Sequence, residues 1–307
     1  MCRCARVKFE EAIFHIMARC SSDNAVFKLD LDKRKFLEIL QKYKNIFQFK
    51  VVAFCIMDTH YHLEIDTNGA DISKIMHGIN QSYAQYYNHI NNRIGHVFQD
   101  RFTSKVITSE EYFFKVSDYI HKNPKDLVHF KDNIELYPYS SLGIYSGKFQ
   151  DEFNLLEGSV LWDRYKNDIK EDFKFANSVD FIEESVDIDN DISSPRLQNN
   201  YISRNINPQF IIEFVSNHIS LNISSIDIKK KLIELKIKSL CTSLIYTFSN
   251  RTYKEIGELL GYITPSSISY LSNLGYKLLW ENNNYKNLVT TQAFPKGDAY
   301  DIIKIWA

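Results

Sequence analysis

His60 and His62 stand one residue apart in "MDTHYHLEI" (57–65), inside an otherwise apolar run. On a β-strand, residues two apart point to the same side, so His60, His62 and Glu64 share one face while Tyr61, Leu63 and Ile65 take the other. Two neutral imidazoles converging on one point are what a divalent cation requires, although the same pair also reads as two polar residues on a sheet. A cation further needs a third ligand and something to act on. In "DYIHKNP" (118–124), Tyr119 and Asn123 are four apart and so lie on one helical face. An amide oxygen is a reasonable hard ligand for Mg2+ or Mn2+, and a phenol beside it could attack a phosphate that the metal polarises. Spacing alone favours reading Tyr119 as one of 19 tyrosines packed with its hydroxyl at the surface. It likewise favours Asn123 as a helix-terminal residue set by Pro124.

These residues need a scaffold, and the hydrophobic periodicity over the first half of the chain alternates between strand and helix types. "AIFHIMAR" reads as a strand. "DLDKRKFLEILQKYKNI" reads as an amphipathic helix with Phe36, Leu37, Leu40 and Tyr43 at helical spacing. "FKVVAFCIM" and "HYHLEI" follow as strands, and "ISKIMHGINQSYAQYYNHINN" as a long helix. Next come "GHVFQDRFTSKVI" as a turn and strand, then "SEEYFFKVSDYIHKN" as a helix capped by Ser109 and stopped at Pro124. This order predicts an α+β fold, a ferredoxin-like antiparallel sheet with helices on one face, followed by a mainly helical C-terminal domain.

The 307 residues, 44% of them apolar, can bury two ordinary cores. The charge is uneven: residues 148–200 carry 13 acidic and 6 basic side chains, whereas both flanks are weakly basic. With its Ser-Ser-Pro break and Asn-Asn pair, the acidic segment reads as a linker. The expected division is 1–147, linker 148–200, helical domain 201–280 and tail 281–307. Eight of the nine histidines precede residue 130, so an imidazole site belongs to the first domain. Five cysteines, three within the first 20 residues, suit reduced thiols better than a disulfide framework, and Cys2 with Cys4 lacks a second pair at zinc-finger spacing. No run is long and apolar enough to span a membrane, and acids interrupt the N-terminus where a signal peptide would be apolar, so a soluble cytoplasmic protein is expected.

The segments "IFHIMARC", "AFCIMDTHYHLEI", "SKIMHGINQSYAQYYNHINNRIGHVFQDRF", "VSDYIHKNP" and "YPYSSLGIY" occur in that order. Together they resemble the single-tyrosine HUH transposases, in particular the REP-associated tyrosine transposase branch. The resemblance implies that His60, His62 and Asn123 bind a divalent metal and that Tyr119 attacks single-stranded DNA, leaving a 5′-phosphotyrosine and a free 3′-OH. Thr59 stands where the family usually has Asn, and Glu64 where it usually has an aliphatic residue; Glu64 could add a ligand or alter metal preference. Lys105, Lys115, Lys122, Arg93 and Arg101 are candidate phosphate contacts, and Tyr86, Tyr87 and Phe98 candidate stacking surfaces. Each also reads as an ordinary solvated cation or core aromatic.

In "RTYKEIGELLGYITPSSISYLSNLG" (251–275), Thr252 caps a helix with Glu255 at the capping-box position. Gly261 makes a turn, and Thr264-Pro265 starts a second helix with Ile268 and Leu271 facing inward. Helix, short turn, helix is the helix-turn-helix layout, and the same residues also fit a plain helical hairpin. The segment resembles the DnaA C-terminal DNA-binding domain, which implies that Ser266, Ser267, Ser269 and Tyr270 face duplex DNA, with Arg251 and Lys254 near its backbone. Two functions follow. One is a metal-dependent transposase or nickase acting on single-stranded DNA at hairpin-flanked sites, as monomer or homodimer. The other is a domesticated, sequence-specific DNA-binding regulator with a silent HUH centre. Replication initiation by rolling circle shares the chemistry but would want an attached helicase.

Overall fold

The computed structural model describes residues 12–21, 25–107, 109–156, 161–162, 165, 206–220, 227–261 and 263–286. Cys2, Cys4, most of the acidic segment and residues 287–307 lie outside these. The chain divides into two compact units, residues 1–44 with 49–199 and residues 45–48 with 200–307.

The first unit is built on β1 (Ile13–Arg19), α1 (Asp30–Phe47) as far as Lys44, β2 (Lys50–Ile56), β3 (His60–Asp66), α2 (Ile72–Ile90), β4 (Thr103–Val106) and α3 (Glu110–Lys122). The four strands form one sheet in the order β2-β3-β1-β4, and every pairing is antiparallel. That is the order a ferredoxin-like βαββαβ chain produces. It places β1 beside β3 although 40 residues separate them in sequence, with His15 opposite Glu64, Met17 opposite His62 and Arg19 opposite His60.

The two strand faces part as the alternation requires. Tyr61, Leu63 and Ile65 are fully buried on the side of α1 and α2, where Phe36 lies 4.6 Å from Tyr61 between ring centroids and the Tyr61 hydroxyl donates to Asn80 Oδ1 at 2.7 Å. The four positions expected to form the inward face of α1 (Phe36, Leu37, Leu40 and Tyr43) are all buried. The expectation put helices on one face. The other carries α3, seated over β2 and β3, because His62 and Glu64 are themselves buried, to 1% and 0% exposure, and need a cover. Helix α3 starts as read, with Ser109 Oγ accepting from the Tyr112 amide and Glu110 and Glu111 in the first turn.

Beyond a short 3-10 turn at Asn123–Asp126 and another at Ile134–Leu136, α4 (Ser141–Tyr145) returns to the sheet. The Tyr145 hydroxyl donates to Val52 O at 2.6 Å. Cys55 bridges to Ser140 and Val51 to Leu156, which occupies the otherwise open edge of β2. The described part of 148–200 therefore packs on the first unit: Arg34 pairs with Glu152 at 2.8 Å, and the Tyr165 hydroxyl donates to Asp118 Oδ1 at 2.6 Å.

The second unit contains α5 (Pro208–Ser220), α6 (Asp227–Phe248), α7 (Tyr253–Leu259), α8 (Pro265–Glu281) and α9 (Asn283–Lys286). The capping box read at Thr252 and Glu255 is formed from both sides. Gly261 adopts φ +102° in the turn, where a side chain would be strained, and Thr264 caps α8 by accepting from the Ser267 amide. Ile268 and Leu271 face inward. Helices α6 and α8 approach so closely at Gly275 that a Cβ there would lie 2.1 Å from Ser239 O.

Candidate active site

The site forms where the second half of α3 crosses β3. His60 emerges directly from the tight turn of the β2–β3 hairpin, closed by Met57 N–H donating to His60 O at 2.8 Å, so it is half-buried while His62, two residues deeper, is sealed. The rings of His60 and His62 are 5.1 Å apart, edge to face. Tyr119 sets its ring 5.3 Å from that of His62. Asn123 Oδ1 lies 3.4 Å from His60 Nε2. The sequence-selected residues from β3 and α3 thus meet in one place.

The orientation of Asn123 has a local cause. Pro124 has no amide hydrogen and ends the α-helical ladder, and the Asn123 backbone N–H accordingly donates to Ile120 O. The Tyr119 carbonyl instead accepts from the Asn123 side chain at 2.9 Å, and the same Nδ2 also reaches Ile120 O at 3.2 Å. With its nitrogen tied to the helix end, the amide turns its oxygen towards His60.

Two further side chains, His15 and Arg19, join the site although the spacing of the sequence does not single them out. His15, 5% exposed, places Nε2 3.1 Å from His62 Nδ1, with ring centroids 5.3 Å apart and ring planes within 21° of each other. Its ring is also 5.8 Å from that of Tyr119. Arg19 sits opposite His60 on β1. Their signal was parity: His15, Met17 and Arg19 alternate with Phe14, Ile16 and Ala18, a polar-edged face within an apolar strand.

Burial dominates the electrostatics. It lowers the pKa of His60 and takes that of His62 well below the ordinary value, and it lowers His15 to about 4, so all three imidazoles are neutral near pH 7. Burial also raises the Tyr119 phenol, against an opposing contribution from Arg19. Glu64 is pushed up to about 8 by burial; its Oε2 accepts from the Ser117 hydroxyl at 2.6 Å and its Oε1 has no hydrogen-bond partner among the described residues. Burial thus favours its protonated, neutral form. Among the described residues no three His, Cys, Asp or Glu side chains gather into a metal-binding group, so a cation here would rely on the amide oxygen of Asn123.

The candidate phosphate contacts are dispersed. Lys105 lies half-buried on β4 opposite His15. Lys115 is exposed and paired with Glu111. Lys122 is half-buried, and burial lowers its pKa. Arg93 lies over the Tyr87 ring at 5.6 Å, and Arg101 is exposed. Of the candidate stacking rings, Tyr87 is buried, Phe98 packs 6.2 Å from Tyr83, and Tyr86 is half-buried. In the second unit Ser266, Ser267 and Lys254 are exposed and Ser269 half-buried. Tyr270 is 65% exposed, and Arg251 pairs with Glu255 at 3.3 Å.

Among the described residues no helix is long and apolar enough to cross a membrane. Residues 8–123 match the family model described as "Transposase IS200 like", a span that runs from just before β1 to Asn123. A solved structure described as "Structure of the REP associates tyrosine transposase bound to a REP hairpin" is similar, at 16% identity and a TM-score of 0.41, over 52% of this chain and 93% of that one. No curated protein matches.

Proposed function

Taking the similarity of residues 8–123 to IS200-like transposases as premise, we propose that the chain is a metal-dependent DNA strand transferase. It nicks and rejoins single-stranded DNA at hairpin-flanked sites through Tyr119. The observation that carries this reading is the meeting of Tyr119, His60, His62 and Asn123, contributed by β3 and by the end of α3, within ring-contact and near hydrogen-bond distances.

The donors suit a divalent ion such as Mn2+ or Mg2+. Neutral imidazoles carry a free lone pair, the Asn123 amide presents oxygen rather than nitrogen, and 3.4 Å between His60 Nε2 and Asn123 Oδ1 is a separation that two ligands of one ion can share. A bound ion would neutralise the non-bridging oxygens of the scissile phosphate. Glu64, neutral and engaged with Ser117, supports the seating of α3 and tunes the site rather than ligating.

In the reaction the Tyr119 phenol oxygen forms a bond to phosphorus while the bond from phosphorus to the 3′ oxygen breaks. The phenolic proton is given up, the leaving oxygen takes one up, and the 5′-phosphotyrosine conserves the bond energy for rejoining. Arg19 contributes positive charge beside the phenol, which favours its deprotonation against the cost of burial. Lys105, Arg93 and Arg101 would contact the strand backbone. The exposed N-terminal turn of α8, with Ser266, Ser267, Ser269 and Tyr270, would hold duplex DNA, flanked by Arg251 and Lys254.

Incubation of the full-length chain with a hairpin-bearing oligonucleotide and Mn2+ should yield a covalent protein–DNA adduct, and Tyr119→Phe should remove it. Duplex binding without any adduct from the wild-type chain would reject this reading in favour of a DNA-binding regulator whose helix-turn-helix does the work.

A further inference from the structure

The cation reading accounts for His60, His62 and Asn123 but leaves a fourth polar side chain unexplained: His15, buried in the same layer. An imidazole costs free energy to bury unless its nitrogens are satisfied. Here one nitrogen is directed at the ring of His62, with 3.1 Å between His15 Nε2 and His62 Nδ1. Two neutral imidazoles can share only one proton across such a contact, so the contact selects a tautomer. If His15 donates, His62 accepts at Nδ1 and must keep its proton on Nε2, where it cannot ligate. If His15 accepts, His62 carries its proton on Nδ1 and frees the Nε2 lone pair. Only the second arrangement serves a ligand.

We propose that His15 is a positioning residue whose Nε2 accepts the Nδ1 proton of His62 and so presents His62 Nε2 to a divalent cation. The inference rests on the metal reading above. The sheet makes the arrangement durable: β1 and β3 are hydrogen-bonded neighbours, with His15 opposite Glu64 and Met17 opposite His62, so the His15 ring reaches His62 diagonally across the pair, its plane within 21° of that of His62. Ligating histidines are commonly fixed in this way by a partner on the second nitrogen, and loss of that partner typically weakens metal binding 10–100-fold.

The test is Mn2+ titration of the full-length chain by calorimetry, joined to 15N spectra of histidine-labelled, metal-free protein. His15→Phe keeps a ring of similar size but removes the acceptor, and should weaken Mn2+ binding roughly 10–100-fold. His15→Gln offers a carbonyl oxygen at similar reach and should recover most of the affinity. The spectra should show His62 as the Nδ1–H tautomer. Wild-type affinity in His15→Phe, a His15→Gln as weak as His15→Phe, or an Nε2–H tautomer at His62 would each overturn this inference while leaving the metal reading intact. Absence of Mn2+ binding by the wild-type chain would overturn both.

Discussion

Glu64 is the side chain at the centre whose chemistry departs furthest from what its type suggests. A carboxyl at 0% exposure with a pKa raised to about 8 binds a proton in the folded chain that it would release above about pH 4.5 when unfolded. Its contribution to stability is therefore complete below pH 4.5 and is lost as pH rises through 8. Glu64→Gln retains an acceptor for Ser117 and does not titrate. Its stability relative to wild type should accordingly increase with pH, by roughly 2–4 kcal/mol between pH 5 and pH 9, read from urea midpoints at each pH. A difference that stays flat across that range would mean that Glu64 is ionised at no great cost. His15 and His121 act in the opposite sense: their pKa values, lowered by burial to about 4 and about 3, withdraw stability as pH falls below 6.5. Of the site itself, the pair His60 and His62 was legible because its spacing matched the strand period. His15 was not, since a lone histidine in "IFHIMAR" has the same local signature as a core residue, and only the strand order reveals what it faces.

Strands and helices of the first unit were readable because their patterns are strong: period-two alternation in β3, helical spacing in α1, a Ser cap and acidic first turn in α3. The side on which α3 packs was not readable, because it depends on which face of the sheet is left uncovered once α1 and α2 have docked. Net charge dominates the composition of the acidic segment, yet Trp162 and Tyr165 within it meet Tyr145 and His121 edge to face. In the second unit the capping box and the Thr264-Pro265 start were both written locally in the sequence. The tight crossing of α6 and α8 was not, since a glycine in a helical stretch does not name its neighbour. Gly275→Ala would place a methyl group against Ser239 O and Ser243 Oγ. It should destabilise that unit by about 1–3 kcal/mol, visible as a lowered unfolding transition, while adduct formation at low temperature should change little.

For the molecule as a whole, if the chain acts on DNA as proposed, a net charge of −1 requires that the attraction come from local clusters rather than from a basic coat. Binding of single-stranded DNA should weaken steeply with salt, and Lys105→Ala should reduce the slope of log K against log salt by about 1. If the N-terminal turn of α8 holds duplex DNA, Tyr270→Ala should lower duplex affinity roughly 5–10-fold and spare the Tyr119 adduct on a single-stranded oligonucleotide. Equal loss of both activities would indicate that the two units do not divide the labour in this way.

Pro124 touches no imagined substrate and offers no reactive group, yet it decides which end of a carboxamide faces the imidazole. By withholding a hydrogen from the last turn of α3, it diverts the Asn123 backbone to Ile120 and leaves the Tyr119 carbonyl to be gripped by the amide nitrogen. Donor and acceptor ends of an asparagine are nearly the same shape, so a helix that ran on unbroken would let that side chain flip and point hydrogens where a lone pair is wanted. A residue chosen to stop a helix thereby writes the polarity of the pocket above it.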